Sequence, residues 1–135
     1  MSSAVLVVDD DVNAQIIATT LLRLRGLEVR VTADAADAYD IVEREDIGVV
    51  LVDLSTPGVN GLGLLRRLRD GSGAQATPPR IIVMTDRQAP EVERFAQRIG
   101  ADAVLRKPMV PSQFIATVER LMPAVLQPAT QASGG

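Results

Sequence analysis

Cysteine and histidine are both absent from the 135-residue sequence. The lack of cysteine excludes disulfide scaffolds, zinc fingers, iron–sulfur sites and thiol nucleophiles. The lack of histidine excludes serine hydrolase triads, histidine-ligated zinc sites and any imidazole base supplied by this chain. The chemistry that remains available therefore runs on carboxylates, hydroxyls and amines.

Aromatic residues are scarce, and there is no excess of basic charge. Phe, Trp and Tyr make up 2% of the sequence, and 17 acidic residues outnumber 14 basic ones, for a formal net charge of −3. Base stacking and phosphate neutralisation depend on such residues, so we expect no direct nucleic-acid binding. No apolar run reaches the roughly 18 residues of a membrane span, and the chain begins without a basic leader segment. We expect a soluble cytoplasmic protein without membrane contact.

Apolar residues make up 47% of the sequence and alternate between strand-like and helix-like patterns. Four runs, at residues 5–8, 49–52, 80–84 and 103–105, are typical of strands buried on both faces, and residues 27–31 alternate like a half-exposed edge strand. Apolar spacings of three and four residues predict helices at 12–24, 35–45, 62–68, 92–99 and 111–121. This order predicts an α/β fold, a doubly wound five-stranded parallel sheet with helices on both faces.

The chain is expected to form one domain, over residues 1–122. Residues 71–79 contain Gly and Pro among small polar residues and are typical of a surface loop. Residues 123–135 are rich in Pro, Ala, Thr, Gln, Ser and Gly, so we expect a flexible tail or linker there.

Polar residues directly follow four of the predicted strands, at the sheet edge where sites form in such folds. These residues are Asp9-Asp10-Asp11, Asp53, Thr85-Asp86 and Lys107-Pro108. Two like charges about 4 Å apart repel by on the order of 4 kcal/mol at an effective dielectric of about 20, so gathered carboxylates need a cation. Oxygen ligands suit a hard ion such as Mg²⁺. A carboxylate, a hard metal, an ammonium and a hydroxyl are together the parts required for phosphoryl transfer.

Helix capping is the alternative reading of the acidic run, because acidic side chains favour helix N-termini. Capping accounts for Asp11. It does not account for Asp53, which ends a different strand, and we therefore assign Asp9 and Asp10 to the site.

Four motifs in this order resemble the response regulator receiver domains, the CheY-like family of two-component signalling. They are VLVVDDD at residues 5–11, LVDLSTPGVNG at 51–61, IIVMTD at 81–86 and ADAVLRKP at 101–108. Each motif alone is weakly specific, but the ordered set at these spacings is highly specific. The resemblance covers residues 4 to about 122 and implies a flavodoxin-like (βα)5 fold.

The resemblance also implies roles for the polar residues. Asp53 would be the phosphoacceptor, and Thr85 and Lys107 would contact the phosphoryl oxygens. Lys107 and Pro108 would be joined by a cis bond. The Mg²⁺ ligands would be Asp9 through water, Asp10, Asp53 and the carbonyl oxygen of Ser55.

Partners follow from the same resemblance. The donor would be a histidine kinase or a histidine phosphotransfer protein, and the signal would pass to an output protein or a downstream domain. A homodimer is compatible with this picture. Such a chain would not be an enzyme in the usual sense, because it catalyses only its own phosphorylation and dephosphorylation.

The sequence departs from the family pattern at several positions. The residue after Thr85 is usually small but is Asp86 here: turned inward, its charge would slow phosphorylation, and turned outward it would only tune access. Val104 stands where the family commonly has the Tyr or Phe of a rotamer switch, which would change the route of output. Thr56 and Asn60 replace a customary Met and Asp, with an expected effect on loop shape.

Two other functions compete with a working receiver. Asp86 and Val104 are compatible with a degenerate receiver that binds partners without phosphorylation. A phosphatase of the haloacid dehalogenase type also uses an Asp nucleophile after a strand, but it needs a second Asp two residues later, where this chain has Ser55.

Overall fold

The computed structural model describes residues 3–55, 60–70, 78–86 and 90–123. Strands and helices alternate through these residues in the predicted order. The strands are β1 Ala4–Val8, β2 Glu28–Thr32, β3 Ile47–Asp53, β4 Arg80–Thr85 and β5 Ala103–Arg106. The helices are α1 Val12–Leu24, α2 Ala35–Arg44, α3 Gly61–Arg69, α4 Pro90–Arg98 and α5 Pro111–Leu121.

The five strands form one parallel sheet in the order β2-β1-β3-β4-β5. Alternate residues of β1 point to opposite faces, so Leu6 and Val8 pack with α2, α3 and α4, whereas Val5 and Val7 pack with α1 and α5. Each face of the sheet is therefore covered by its own hydrophobic core. The predicted doubly wound sheet with helices on both faces is confirmed.

One prediction about the strands is wrong. The run at residues 103–105 was expected to be buried on both faces, but β5 is an edge strand, with Ala103 and Val104 only partly buried and Arg106 exposed. The reason is the strand order, which leaves β5 with a neighbour on one side only. Residues 27–31 were predicted as an edge strand, and β2 does lie at the opposite edge.

Helix α1 has the predicted bounds, but most of the residues whose spacing predicts it do not face the core. Its buried side chains are Ala18 and Leu22. Ile16 is 57% exposed and Leu24 is 77% exposed, and Val12 and Ile17 are exposed as well. The spacing therefore identified the helix and left its buried face undetermined.

Local sequence explains several helix ends. Asp11 is the N-cap of α1 and its side chain accepts from the backbone N–H of Asn13 at 3.0 Å, as the capping interpretation predicted. Asn60 caps α3 in the same way by accepting from Gly63 N–H at 2.9 Å. Gly100 follows α4 with a φ of +117°, a conformation that favours glycine.

Two arginines of α3 join neighbouring elements. The Arg69 guanidinium donates to the carbonyl oxygens of Gly100 at 2.8 Å and Pro79 at 3.1 Å, and to the Asp102 carboxylate. It thereby links the end of α3 to the beginnings of β4 and β5. Arg67 lies over the ring of Tyr39 in α2, 3.8 Å from the ring centroid.

Some predictions concern residues outside the described ranges. Thr56, most of the expected surface loop at residues 71–79 and residues 124–135 of the expected tail belong to this group. Within the described ranges, none of the helices combines the length and the apolar character that a membrane span requires.

Candidate functional site

The candidate site lies at the carboxyl edge of the sheet, where four strands end side by side. Asp9 directly follows β1, Asp53 is the last residue of β3, Thr85 is the last residue of β4, and Lys107 directly follows β5. The backbone N–H of Lys107 donates to the Thr85 carbonyl at 2.9 Å, which joins the ends of β4 and β5. The predicted convergence of these residues is therefore present in the fold.

Asp53 is the most buried of these polar groups, with 1% of its surface exposed. Its Oδ1 accepts from the Ser55 backbone N–H at 2.8 Å and from the Ser55 hydroxyl at 2.6 Å, and its Oδ2 accepts from the Lys107 ammonium. Burial alone would raise the pKa of Asp53, but the hydrogen bonds from Lys107 and Ser55 outweigh it and hold the pKa below its ordinary value. Asp53 is thus an ionised carboxylate in a nearly water-free position.

Asp9 is 4% exposed and lies beside Asp53. Burial raises the pKa of Asp9 to about 6, and the hydrogen bond and negative charge of Asp53 act in the same direction. The backbone N–H of Asp11, which donates to Asp9 Oδ1 at 2.9 Å, opposes that rise. The pair therefore consists of one carboxylate held ionised and one that binds a proton readily.

Lys107 is the positive group of the site. Burial would lower the pKa of its ammonium, but the hydrogen bond and charge of Asp53, followed by the charges of Asp9 and Asp86, raise it. Asp86 is exposed, so its side chain does not enter the buried part of the site, yet it is close enough to act on Lys107. The structure thus decides between the two orientations that the sequence left open for Asp86.

The remaining predicted residues occupy different surroundings. The Thr85 side chain is buried at 2% exposure, at the end of β4 beside Asp86. Asp10 is exposed, in contrast to Asp9. Val104 is partly buried and packs against the core under α2, α3 and α4. The Lys107-Pro108 bond is cis, as the resemblance implied.

The donor set fits a hard cation, although it is small. Among the described residues, no group of three or more His, Cys, Asp or Glu side chains is arranged to hold a metal ion. Mg²⁺ needs fewer, because proteins usually bind it through one or two carboxylates and leave the other positions to water and phosphate oxygens. Asp9 and Asp53 provide such a pair, since both are buried at neighbouring strand ends.

One contact of the site was missed by sequence reasoning. Ser55 was assigned through its carbonyl oxygen alone, but its hydroxyl donates a hydrogen bond to the Asp53 carboxylate. The available signal was a hydroxyl two residues after Asp53, a spacing at which a side chain can fold back onto the preceding carboxylate.

Comparison with known proteins identifies the same family by a family model and by individual relatives. The model of the response regulator receiver domain matches residues 5–119. The sensory/regulatory protein RpfC of Xanthomonas campestris pv. campestris is 34% identical over 134 residues, which cover 98% of this chain and 18% of RpfC. The DNA-binding response regulator MtrA of Mycobacterium leprae is 32% identical over 118 residues, which cover 87% of this chain and 50% of MtrA.

Solved structures agree with these sequence relatives. A CheY-like receiver domain protein from Methanospirillum hungatei has a TM-score of 0.75 at 27% identity, covering 89% of this chain and 93% of that one. The receiver domain of NtrX from Brucella abortus has a TM-score of 0.77 at 26% identity, covering 87% and 96%. The chain spans half or less of the length of the curated relatives RpfC and MtrA. From the family model, the relatives and the strand-end site together, the chain belongs to the response regulator receiver domain family.

Proposed function

We propose that this chain is a working phosphoacceptor, in which Asp53 takes a phosphoryl group from a phosphohistidine of a partner protein. The observation that carries the proposal is the state of Asp53, a buried carboxylate kept ionised by Lys107 and Ser55. A nucleophile must be charged and positioned before the donor arrives, and both conditions are met at this residue.

The transfer exchanges one bond at phosphorus for another. A carboxylate oxygen of Asp53 attacks the phosphorus, the bond from phosphorus to the imidazole nitrogen breaks, and its electron pair stays on that nitrogen. The product is an acyl phosphate on Asp53. In the later hydrolysis, water attacks phosphorus, the electron pair of the broken bond returns to the Asp53 carboxylate, and the water proton leaves with inorganic phosphate.

The other residues of the site would handle the charge of the phosphoryl group. Lys107, now paired with Asp53, would exchange part of that contact for a phosphoryl oxygen, and the Thr85 hydroxyl at the neighbouring strand end would donate to another. Mg²⁺ held by Asp9, Asp10, Asp53 and the Ser55 carbonyl would neutralise the remaining negative charge.

The proposed partners follow from this chemistry. The donor would be a histidine kinase or a histidine phosphotransfer protein in the cytoplasm, and the signal would pass to an output protein or domain. The relatives support a signalling role, because RpfC is named a sensory/regulatory protein and MtrA a response regulator. Val104 has no ring to reorient, so the output would use another route than an aromatic rotamer switch.

The test is incubation with phosphoramidate and Mg²⁺, followed by intact-mass spectrometry. We expect the mass of the protein to increase by one phosphoryl group. This increase should not occur when EDTA is present in the reaction, and it should not occur in Asp53→Asn. Failure to label the wild type, under conditions that label a known receiver, would favour the degenerate receiver instead. Continuous turnover of a phosphate ester, abolished by Asp53→Asn, would favour the phosphatase.

A further inference from the structure

Asp86 lies at the end of β4, next to two predicted site residues, Thr85 and Lys107. It directly follows Thr85, which is buried, but its own side chain is exposed. The hydrogen bond from Lys107 N–H to the Thr85 carbonyl holds Lys107 against this strand end, and the charge of Asp86 acts on the Lys107 ammonium. Asp86 therefore lies at the solvent-exposed end of β4, close enough to Lys107 for its charge to act there.

The charges around the acceptor are unbalanced. Asp9 and Asp53 are buried in the site, and Asp86 borders it. Among the described residues, Lys107 is the positive group on which all three negative charges act. A phosphoryl donor is itself an anion. An exposed carboxylate at this position repels it through solvent and competes with it for Lys107.

We propose that Asp86 selects phosphoryl donors by their charge, against small polyanions and in favour of a protein phosphohistidine that carries a Lys or Arg beside the phosphoryl group. This inference rests on the proposed function and names the donor class that the same site accepts. Positive charge on the donor would pair with Asp86 and remove the repulsion. Asp86 would therefore weaken the binding of small anionic donors and strengthen the binding of a donor protein with a basic side chain.

The electrostatic character of this effect separates it from a steric one. Asparagine has nearly the shape of aspartate, so Asp86→Asn would remove the charge and keep the bulk. An effect of charge grows with the charge of the donor and fades as salt screens it. An effect of bulk depends on neither.

The experiment measures initial rates of Asp53 labelling at pH 7.5 with Mg²⁺, using acetyl phosphate, a dianion, and phosphoramidate, a zwitterion with one net negative charge. We compare the wild type, Asp86→Asn and Asp46→Asn. Asp46 is an exposed aspartate directly before β3, at the amino ends of the strands and therefore far from the site. Its variant changes the net charge by the same amount without altering the site. Each rate is measured at low and at high salt.

We expect Asp86→Asn to speed labelling by acetyl phosphate about fivefold and labelling by phosphoramidate about twofold at 0.1 M salt, because the repulsion by one removed charge is roughly doubled for a dianion and is partly screened by solvent. The gain should shrink at high salt, and Asp46→Asn should match the wild type. Equal gains for both donors, gains independent of salt, or no gain would overturn the inference while labelling of the wild type upholds the proposed function. If no protein is labelled by either donor, the proposed function fails and the inference fails with it.

Discussion

The side chains of Asp9 and Asp53 are both buried and line the same small cavity where β1 and β3 end. Because Lys107 and Ser55 both donate to Asp53, the proton that such a pair binds belongs mainly to Asp9. Asp53 therefore stays charged, and the charge of Asp9 varies with conditions. This division of roles leads to the first prediction.

Without metal, the protein should become more stable as the pH falls from 7 to 5. The folded-state pKa of Asp9, about 6, lies above its ordinary value of 3.8, so the folded state binds the proton more tightly than the unfolded state does. The stability from this group is full below the ordinary pKa and is lost as pH rises through 6. Asp53 has the opposite shift, but its stability is lost only in the range below 3.8.

We expect a gain of about 1 kcal/mol in unfolding free energy between pH 7 and pH 5, measured by urea denaturation in EDTA. Asp9→Asn is the control, since it has no proton to bind and should lose this gain. An equal gain in Asp9→Asn would assign the pH dependence to other groups.

Removal of the Lys107 ammonium should destabilise the fold and slow labelling. Lys107→Met leaves the Asp53 carboxylate buried without its cation, and we expect a loss of about 1–3 kcal/mol, discounted because Lys107 is partly exposed, with labelling at least about tenfold slower. Adding Asp53→Asn removes the unpaired charge. The double variant should therefore recover part of the lost stability, whereas additive losses in urea denaturation would contradict the pairing.

The Ser55 hydroxyl should shorten the lifetime of phosphorylated Asp53. It donates to Asp53 Oδ1 at 2.6 Å, and a hydrogen bond to a carboxylate is stronger than one to the neutral carbonyl of an acyl phosphate. The hydroxyl thus stabilises the leaving carboxylate. Ser55→Ala should lengthen the lifetime about fivefold, corresponding to roughly 1 kcal/mol of lost stabilisation, as followed by mass spectrometry after donor removal.

Ser55→Thr is the matched control for that measurement, because it retains a hydroxyl at the same position. Its lifetime should lie close to that of the wild type. Equal lifetimes in Ser55→Ala and the wild type would show that the contact has no influence on hydrolysis.

Two glycines with positive φ should differ in their tolerance of alanine. A Cβ on Gly26, at φ +79°, would meet nothing within 4 Å, so Gly26→Ala should cost only backbone strain of about 1 kcal/mol. A Cβ on Gly100, at φ +117°, would lie 2.5 Å from Arg69 Cγ, and Arg69 is held by its own hydrogen bonds. Gly100→Ala should cost about 2–3 kcal/mol in urea denaturation. Equal costs would contradict the role given to Arg69.

The elements of the fold were predictable because they depend on local patterns. Strand runs, helix spacings, the N-cap Asp11 and the proline that begins α5, Pro111, are each recognisable from a few neighbouring residues. The burial of β5 was not predictable in this way, because its edge position depends on how all five strands are ordered. The inward face of α1 was also open, since Ile16 and Ile17 are as apolar as Ala18 and Leu22.

Some features of the candidate site were also predictable from local patterns, and others were not. The gathering of Asp9, Asp53, Thr85 and Lys107 at one edge follows from parallel strands alone. The exposure of Asp86 and the fold-back of the Ser55 hydroxyl depend on side-chain torsions, which a linear pattern does not encode.

The contact between Arg67 and Tyr39 has a practical consequence for spectroscopy. Tyr39 is the single tyrosine of a chain that has no tryptophan. Its near-ultraviolet absorbance and fluorescence therefore report on the packing of α2 against α3, under the influence of the guanidinium 3.8 Å from the ring centroid. The proposed phosphorylation at Asp53 would add no chromophore, so optical titrations of the candidate site call for a reporter introduced near the carboxyl ends of the strands.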